Sequence, residues 1–130
     1  MKIAFSHKFD DSEKKFDVSE TYLIGYFKDS LPLAIKQNLF RCFAILRLDG
    51  DLYESTYQAL DALYPFLNPG GIVIIDDFYV LIGANTAVLD YKQKHNINTP
   101  IIQVYHNQDN KEFIVGAYFM KPLDSTSLYC

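Results

Sequence analysis

Residues 43–56 read FAILRLDGDLYEST, and residues 71–77 read GIVIIDD. Each stretch is a short apolar run that ends in aspartates, and a segment of helix length separates the two. Such runs are typical of buried strands in an α/β sheet that are joined by a crossover helix. Because the carboxyl ends of parallel strands meet at the same edge of a sheet, we expect the aspartates to converge there.

The converging aspartates are Asp49 after the first run, and Asp76 and Asp77 after the second. Neighbouring strands lie about 4.8 Å apart, so these carboxylates would repel one another unless a cation lay between them. Carboxylate oxygens are the ligands that hard divalent cations prefer. We therefore predict a site for a hard divalent cation at Asp49, Asp76 and Asp77, with weak, millimolar-range binding of Mg²⁺ or Ca²⁺.

The same residues also have interpretations that need no metal. Asp49 with Gly50 fits a simple turn, and Asp76 with Asp77 fits a polar strand exit. Asp51 precedes an apolar repeat at helical spacing and has Glu54 three residues later, a pattern typical of a helix N-cap. The residues alone leave these alternatives open.

Outward from the two runs, the pattern predicts an α/β domain with the element order βαβαββ. The predicted strands are apolar, β-branched or aromatic runs, at residues 40–48, 72–75, 101–105 and 113–120. The predicted helices carry apolar residues at helical spacing, from Asp51 until the NPGG stop at residues 68–71, and from Ala84 to near His95. A polar turn at residues 106–110 joins the last two strands, which are expected to pair antiparallel.

The segment in front of this pattern is less regular. Residues 21–27 are expected to form a further strand, and residues 31–35 a short helix after Pro32. Residues 1–19 mix lysines with acidic residues without apolar periodicity, so we expect a loose N-terminal arm there. The whole chain, residues 1–130, is expected to be one domain, with a core at residues 20–122 and a tail at residues 123–130.

Composition limits the class of protein. A chain of 130 residues with 49% hydrophobic and 22% charged residues is ordinary for a soluble globular domain. Its net charge of -4 offers no general attraction to nucleic acid, and no stretch predicts a membrane span. Cys42 and Cys130 have no metal-binding spacing and follow no secretory signal, so we expect free thiols and a cytoplasmic location.

Three segments together closely resemble the macrocin-type (TylF) sugar O-methyltransferases: LRLDGDLYEST, LYPFLNPGGIVIIDD and AVLDYKQKHNINTPI. The resemblance runs from about Tyr22 to Pro122, and its motif is long enough to be specific. It implies a Rossmann-like sheet and methyl transfer from S-adenosylmethionine, with magnesium, to a hydroxyl group of a sugar.

The resemblance also implies roles for the aspartates. By resemblance, Asp49, Asp76 and Asp77 coordinate the magnesium ion, which in turn holds the acceptor hydroxyl. Asp49 would additionally act as general base and lie at the cofactor.

A second group, Gly25, Tyr26 and Phe27, resembles the family segment that lies against the adenine of the cofactor. A glycine permits close backbone approach, and an aromatic neighbour can stack on a purine. From the residues alone, Tyr26 and Phe27 fit equally well a strand end packed in the core.

The family's glycine-rich cofactor loop and its ribose-binding acidic residue are expected upstream of Met1. We therefore expect the chain by itself to bind S-adenosylmethionine poorly. Three explanations stay open. The chain is part of a working enzyme whose other half is supplied by a partner chain or by an earlier start codon. Alternatively, it is a non-catalytic remnant, or it is an interaction module.

The truncated sheet also has consequences for assembly. In the family sheet, the strand at residues 40–48 has a neighbour that this chain lacks, and folded proteins do not leave such an apolar edge open. Either residues 21–27 pair with this strand or a second copy of the chain does, and we expect the second, a homodimer.

Overall fold

The computed structural model describes the backbone of residues 2–10, 15–108 and 111–125, and the side chains of residues 22–107 and 113–125. In this structure the chain forms two compact units, Met1–Phe40 and Arg41–Cys130. The described strands likewise form two separate sheets. The single domain expected over residues 1–130 stays a prediction.

The first unit begins with a β-hairpin. Strands β1 (Lys2–Asp10) and β2 (Lys15–Tyr22) pair antiparallel. The described part of residues 1–19 therefore differs from the expected loose arm, because the ladder pairs the N–H and C=O groups of the two strands. The missed signal is a large apolar side chain at every second position, at Ile3 and Phe5 and again at Phe16 and Val18, which has the period of a strand.

A helix follows this hairpin where the sequence predicted a strand. Gly25 adopts a φ of +128°, and helix α1 spans Phe27–Lys36. Glycine adopts such a φ without steric cost, so the extended chain ends there. The predictions of a strand at residues 21–27 and of a helix that begins only after Pro32 are therefore wrong.

The second unit contains a four-stranded mixed sheet. Its strands are β3 (Phe43–Leu48), β4 (Leu67–Asp76), β5 (Ile102–Gln108) and β6 (Lys111–Met120), in the spatial order β3-β4-β6-β5. β3 and β4 are parallel, whereas β6 pairs antiparallel with both β4 and β5. The order βαβαββ and the final antiparallel pair of a truncated Rossmann-like sheet are confirmed.

Two helices connect the strands of the second unit. Helix α2 spans Tyr53–Leu63 and continues into a short 3₁₀ helix, Tyr64–Phe66, while helix α3 spans Ile82–Lys94. The C-cap of α3 is His95, as the helical spacing predicted.

Both ends of α2 differ from the prediction. Its N-cap is Leu52, so Asp51 is not the cap residue. At the other end, Pro65 lies in the 3₁₀ turn, because its ring cannot continue α-helical hydrogen bonding. The chain then enters β4, and the NPGG segment at residues 68–71 lies in that strand rather than ending a helix. There Gly70 and Gly71 exchange backbone hydrogen bonds with Lys121.

The core of the second unit follows from one-sided burial of its strands and helices. Every second residue of β4 from Gly71 to Ile75 is buried, the pattern of a strand with one covered face. Helix α2 buries residues at helical spacing, and α2 packs against α3. The fully buried side chains include Leu60, Val73, Val88 and Phe119.

Strand β3 forms one edge of this sheet. Among the described strands it pairs only with β4, and Ile45 on it is 58% exposed. The alternative in which residues 21–27 pair with β3 is wrong, because β2 ends at Tyr22 and pairs with β1. The homodimer across this edge stays a prediction.

Cys42, just before β3, is disulfide-bonded. The expected free thiol at this position is therefore wrong, and Cys130 lies outside the described residues. In the described part of the chain, no helix has both the length and the apolar character needed to cross a membrane. The cytoplasmic location stays a prediction.

Two lysine side chains are buried in the second unit beside backbone carbonyls. Lys92 Nζ lies 2.7 Å from the Thr99 carbonyl oxygen and 4.2 Å from the centroid of the Phe119 ring. Lys121 Nζ donates to the Leu67 carbonyl at 2.7 Å. Burial disfavours the charged amine and lowers the pKa of Lys92 to about 8.

The depressed pKa of Lys92 predicts a pH-dependent stability. Since the unfolded chain binds this proton up to higher pH than the folded chain does, the free energy of unfolding should rise between about pH 7.5 and pH 9.5, by roughly 2 kcal/mol. Urea unfolding across this range measures the rise. We expect Lys92→Met to reduce this rise and Gln93→Met, on the same helix, to leave it unchanged; an unaltered rise in Lys92→Met would assign it to other groups.

Candidate metal centre

The parallel pairing of β3 with β4 brings the ends of both strands together. Leu48 lies opposite Ile75, so Asp49 and Asp76 leave the sheet side by side. Asp77, directly after β4, has a φ of +52°, which turns the chain away from the strand direction. The convergence of strand exits that the sequence predicted is therefore present.

Three carboxylates meet at these exits. Oxygen atoms of Asp49, Asp51 and Asp77 lie within 4.8 Å of one another, and all three side chains are exposed. Asp51, like Asp77, has left-handed backbone, with a φ of +57°. This region is uncommon for a residue other than glycine, and it persists where the surrounding structure fixes it.

Hydrogen bonds from the start of α2 hold the loop that carries Asp49 and Asp51. The Ser55 hydroxyl contacts the Gly50 carbonyl and lies 3.1 Å from the Leu52 carbonyl. A Cβ atom on Gly50 would lie 3.1 Å from Thr56 Oγ1, which is tight. The loop therefore lies closely against the first turn of the helix.

Helix α3 closely approaches the same loop. A Cβ atom on Gly83 would lie 2.8 Å from the backbone nitrogen of Tyr53 and 3.3 Å from the carbonyl oxygen of Asp51. The Tyr53 hydroxyl also donates to Asp90 on α3 at 2.9 Å. The position of Asp51 therefore depends on a close backbone approach that only glycine allows at residue 83.

We expect Gly83→Ala to displace this loop. In an unobstructed helix the change would stabilise the protein by about 0.5–1 kcal/mol, but the backbone contact should reverse the sign and cost about 1–3 kcal/mol. It should also weaken divalent-cation binding severalfold. Urea unfolding and Mn²⁺ titration measure the two effects, with Thr86→Ala on the exposed side of α3 as control. Unchanged cation affinity in Gly83→Ala would contradict the support that α3 gives to Asp51.

Asp76 does not join the three carboxylates. Successive side chains of a strand point to opposite faces, and Asp76, at the end of β4, is bonded to the exposed side chain of Arg47 on β3. Arg47 Nε donates to Asp76 Oδ2 at 2.9 Å, and Nη2 contacts the same oxygen. This hydrogen bond is the main cause that raises the pKa of Arg47. The structure thus brings together two of the predicted metal ligands, Asp49 and Asp77, and places Asp76 in an ion pair.

Asp51 was missed as a site residue because its spacing to Glu54 resembled a helix cap. The structure instead places it outside the helix, with its carboxylate beside those of Asp49 and Asp77. The sequence signal that could have placed Asp51 in the cluster is the Asp-Gly-Asp triplet at residues 49–51, at a strand exit. A tight turn centred on Asp51, in which the Leu52 N–H donates to the Gly50 carbonyl, lies where the carboxylates of Asp49 and Asp51 approach each other.

The residues predicted to contact the cofactor adenine lie in the first unit. Gly25 and Tyr26 precede α1, and Phe27 is its first residue. Tyr26 is 79% exposed, so its alternative interpretation as a core residue is wrong. Cofactor binding by Gly25, Tyr26, Phe27 and Asp49 stays a prediction.

The three clustered carboxylates fit a hard divalent cation. Like charges at this separation repel one another, and a cation bound to their oxygens offsets that repulsion. Mg²⁺ takes oxygen ligands in octahedral geometry, so three carboxylates leave coordination positions for water or an acceptor. The exposure of all three side chains gives such ligands access.

Residues 5–109 match the sequence profile of a family described as Macrocin-O-methyltransferase (TylF). Over 83 residues the chain is 49% identical to 8-demethyl-8-(2,3-dimethoxy-alpha-L-rhamnosyl)-tetracenomycin-C 4'-O-methyltransferase of Streptomyces olivaceus, covering 64% of this chain and 30% of that protein. Over 88 residues it is 42% identical to demethyldecarbamoylnovobiocin O-methyltransferase of Streptomyces niveus, covering 68% of this chain and 32% of that protein.

A solved O-methyltransferase structure is also similar to this chain. The O-methyltransferase NovP superimposes with a TM-score of 0.62 and 37% identity, over 77% of this chain and 36% of NovP. The chain therefore spans about a third of the length of these three proteins, from 30% to 36%.

Proposed function

This chain belongs to the macrocin-O-methyltransferase (TylF) family, and from that premise we propose that it forms the acceptor side of an O-methyltransferase site. In this proposal Asp49, Asp51 and Asp77 hold a magnesium ion, and the acceptor is a small molecule with a hydroxyl group, on a sugar. The observation that carries the proposal is the convergence of three exposed carboxylates at the exits of two parallel strands.

The chain's own residues would bind the metal and accept a proton. Magnesium, when bound, lowers the pKa of an acceptor hydroxyl and orients it. The proton leaves the hydroxyl for the Asp49 carboxylate, which acts as general base. S-adenosylmethionine, when bound, would supply the methyl group that the hydroxyl oxygen takes. Asp51 and Asp77 would hold the metal beside Asp49.

The proposal also covers the cofactor side of the reaction. We propose that Gly25, Tyr26 and Phe27 contact the cofactor adenine, and that the glycine-rich cofactor loop comes from protein outside this sequence. That protein would be a partner chain or a further part of the same chain. No role in binding nucleic acid or membranes is proposed, and the location proposed for the reaction is the cytoplasm.

A second candidate function is a non-catalytic interaction module. The observation that favours it is the exposed edge of β3, where Ile45 is 58% exposed. A homodimer formed by pairing of two such edges would cover it. Light scattering tests this candidate, since a monodisperse monomer at micromolar concentration would exclude the dimer.

A chimera tests the enzymatic proposal. In it, residues 41–125 of this chain replace the matching third of demethyldecarbamoylnovobiocin O-methyltransferase. We expect the chimera to transfer labelled methyl groups from S-adenosylmethionine to that enzyme's own acceptor, in a magnesium-dependent manner. Asp49→Asn should abolish transfer, and Asp61→Asn, on the exposed side of α2, should not. A folded, cofactor-binding chimera without transfer would reject the proposal in favour of the interaction module.

The isolated chain should behave differently from the chimera. Ligand stabilisation depends on the ratio of free ligand to its dissociation constant, so magnesium should raise the melting temperature while S-adenosylhomocysteine should not. A shift of several degrees with S-adenosylhomocysteine would show that this chain alone holds the cofactor.

A further inference from the structure

The four-stranded sheet of the second unit buries one face and leaves the other face accessible. Val73 and Phe119 lie on the buried face and are 0% exposed. The side chains that alternate with such residues along the strands form the second face, here called the outer face. None of its apolar side chains in the two rows that cross the paired strands is buried. These rows are Ile45, Ile72 and Met120, and then Ile74, Tyr118 and Ile102.

The strand sequences are typical of a sheet that is covered on both faces. A strand with one solvated face alternates apolar and polar residues, whereas a strand covered on both faces is a continuous apolar run. Residues 71–75 read GIVII and residues 113–120 read FIVGAYFM, and neither run alternates with charged residues. The outer face is therefore suited to contact with protein rather than with water.

The charged side chains next to the two apolar rows compensate each other. Arg47 lies opposite Ile74 in the register and Asp76 lies opposite Gly116, so both belong to the outer face. Arg47 Nε donates to Asp76 Oδ2 at 2.9 Å. A paired arginine and aspartate present little net charge to a partner, so the surface that fits the outer face is apolar rather than charged.

We propose that the outer face docks the apolar sides of helices in a partner chain that carries the remaining part of an O-methyltransferase. Helices are the expected occupant because β3 and β4 are parallel and joined by the crossover helix α2, and helices cover both faces of such sheets. NovP superimposes over only 36% of its length, so most of that protein lies outside the matched part. The inference rests on the proposed function for the identity of the partner, and it needs neither bound metal nor bound cofactor.

The first test is co-expression of this chain with the part of NovP that lies outside the superimposed segment. We expect the two chains to co-purify. Met120→Lys and Ile102→Lys should each lower the recovery of the NovP part by about tenfold or more, because docking would bury an unpaired charge. Both positions lie away from the β3 edge of the sheet. Leu89→Lys, on the exposed side of α3, is the matched control and should not lower recovery.

A failure of the wild-type chain to co-purify would overturn the inference, and so would equal losses in Leu89→Lys and the two outer-face variants. Oxidation of Met120 keeps the test decisive if the lysine variants do not fold. Its side chain is 41% exposed in this chain, and peroxide converts accessible methionine to the sulfoxide. Mass spectrometry should show severalfold slower oxidation of Met120 in the complex than in the chain alone. Equal rates would place the NovP part elsewhere on the chain.

A second copy of this chain is the competing occupant of the outer face. Light scattering of the chain alone measures this outcome, and we expect Met120→Lys to leave its molar mass unchanged. A wild-type dimer that Met120→Lys dissociates would assign the outer face to a second copy and overturn the inference. The two proposals also fail separately. Absence of co-purification, with methyl transfer by the chimera, would reject only the docking surface, whereas co-purification without methyl transfer by the chimera would reject only the enzymatic function.

Discussion

Asp77→Asn should abolish measurable divalent-cation binding by this chain. The three carboxylates at the strand exits are the only charged ligands in the proposed centre, and millimolar-range binding cannot lose one of them and stay detectable. Electron paramagnetic resonance of free Mn²⁺, with Mg²⁺ as competitor, measures the change directly.

Asp61→Asn is the control for Asp77→Asn, because Asp61 lies exposed on α2 and carries the same charge. It should retain wild-type binding. Equal affinity of the Asp77→Asn variant and the wild type would show that the cation binds elsewhere in the molecule. The proposed metal centre would then be rejected.

Phe119→Ala should produce the largest loss of stability among single substitutions in β6. The ring is 0% exposed and stacks on Tyr64 at 6.2 Å, and the Lys92 ammonium lies over it. Truncation of a fully buried phenylalanine costs about 3–5 kcal/mol, a large part of the stability of a small domain.

Phe113→Ala on the same strand provides the comparison. Phe113 is 50% exposed, so its truncation should change the free energy of unfolding by no more than about 1 kcal/mol. Urea unfolding followed by circular dichroism measures both variants. Similar losses in the two variants would contradict the one-sided core of the sheet.

The sheet of the second unit was predictable because its strands carry short apolar runs with aspartates or polar turns at their ends. The parallel pair β3 and β4 and the antiparallel pair β5 and β6 follow from those runs. The hairpin of β1 and β2 was not predicted, since its lysines and acidic residues obscure the alternation of apolar residues. Residues 21–27 were assigned as a strand on their aromatic content, but Gly25 ends the extended chain before α1.

The place of the carboxylate cluster was predictable, and the residues that form it were predictable only in part. Parallel pairing of two strands fixes where Asp49 and Asp77 meet. Which of two adjacent aspartates joins them depends on strand alternation and on the partner across the strand, and the Asp76–Arg47 pair decides this. Likewise, the left-handed backbone of Asp51 places it in the cluster, whereas its sequence spacing resembles a helix cap.

Anomalous diffraction from crystals of this chain soaked in Mn²⁺ would locate the bound cation. We expect one peak bounded by the carboxylates of Asp49, Asp51 and Asp77, with Asp76 still bonded to Arg47. A peak coordinated by Asp76, or Mn²⁺ bound only away from these strand exits, would contradict this expectation.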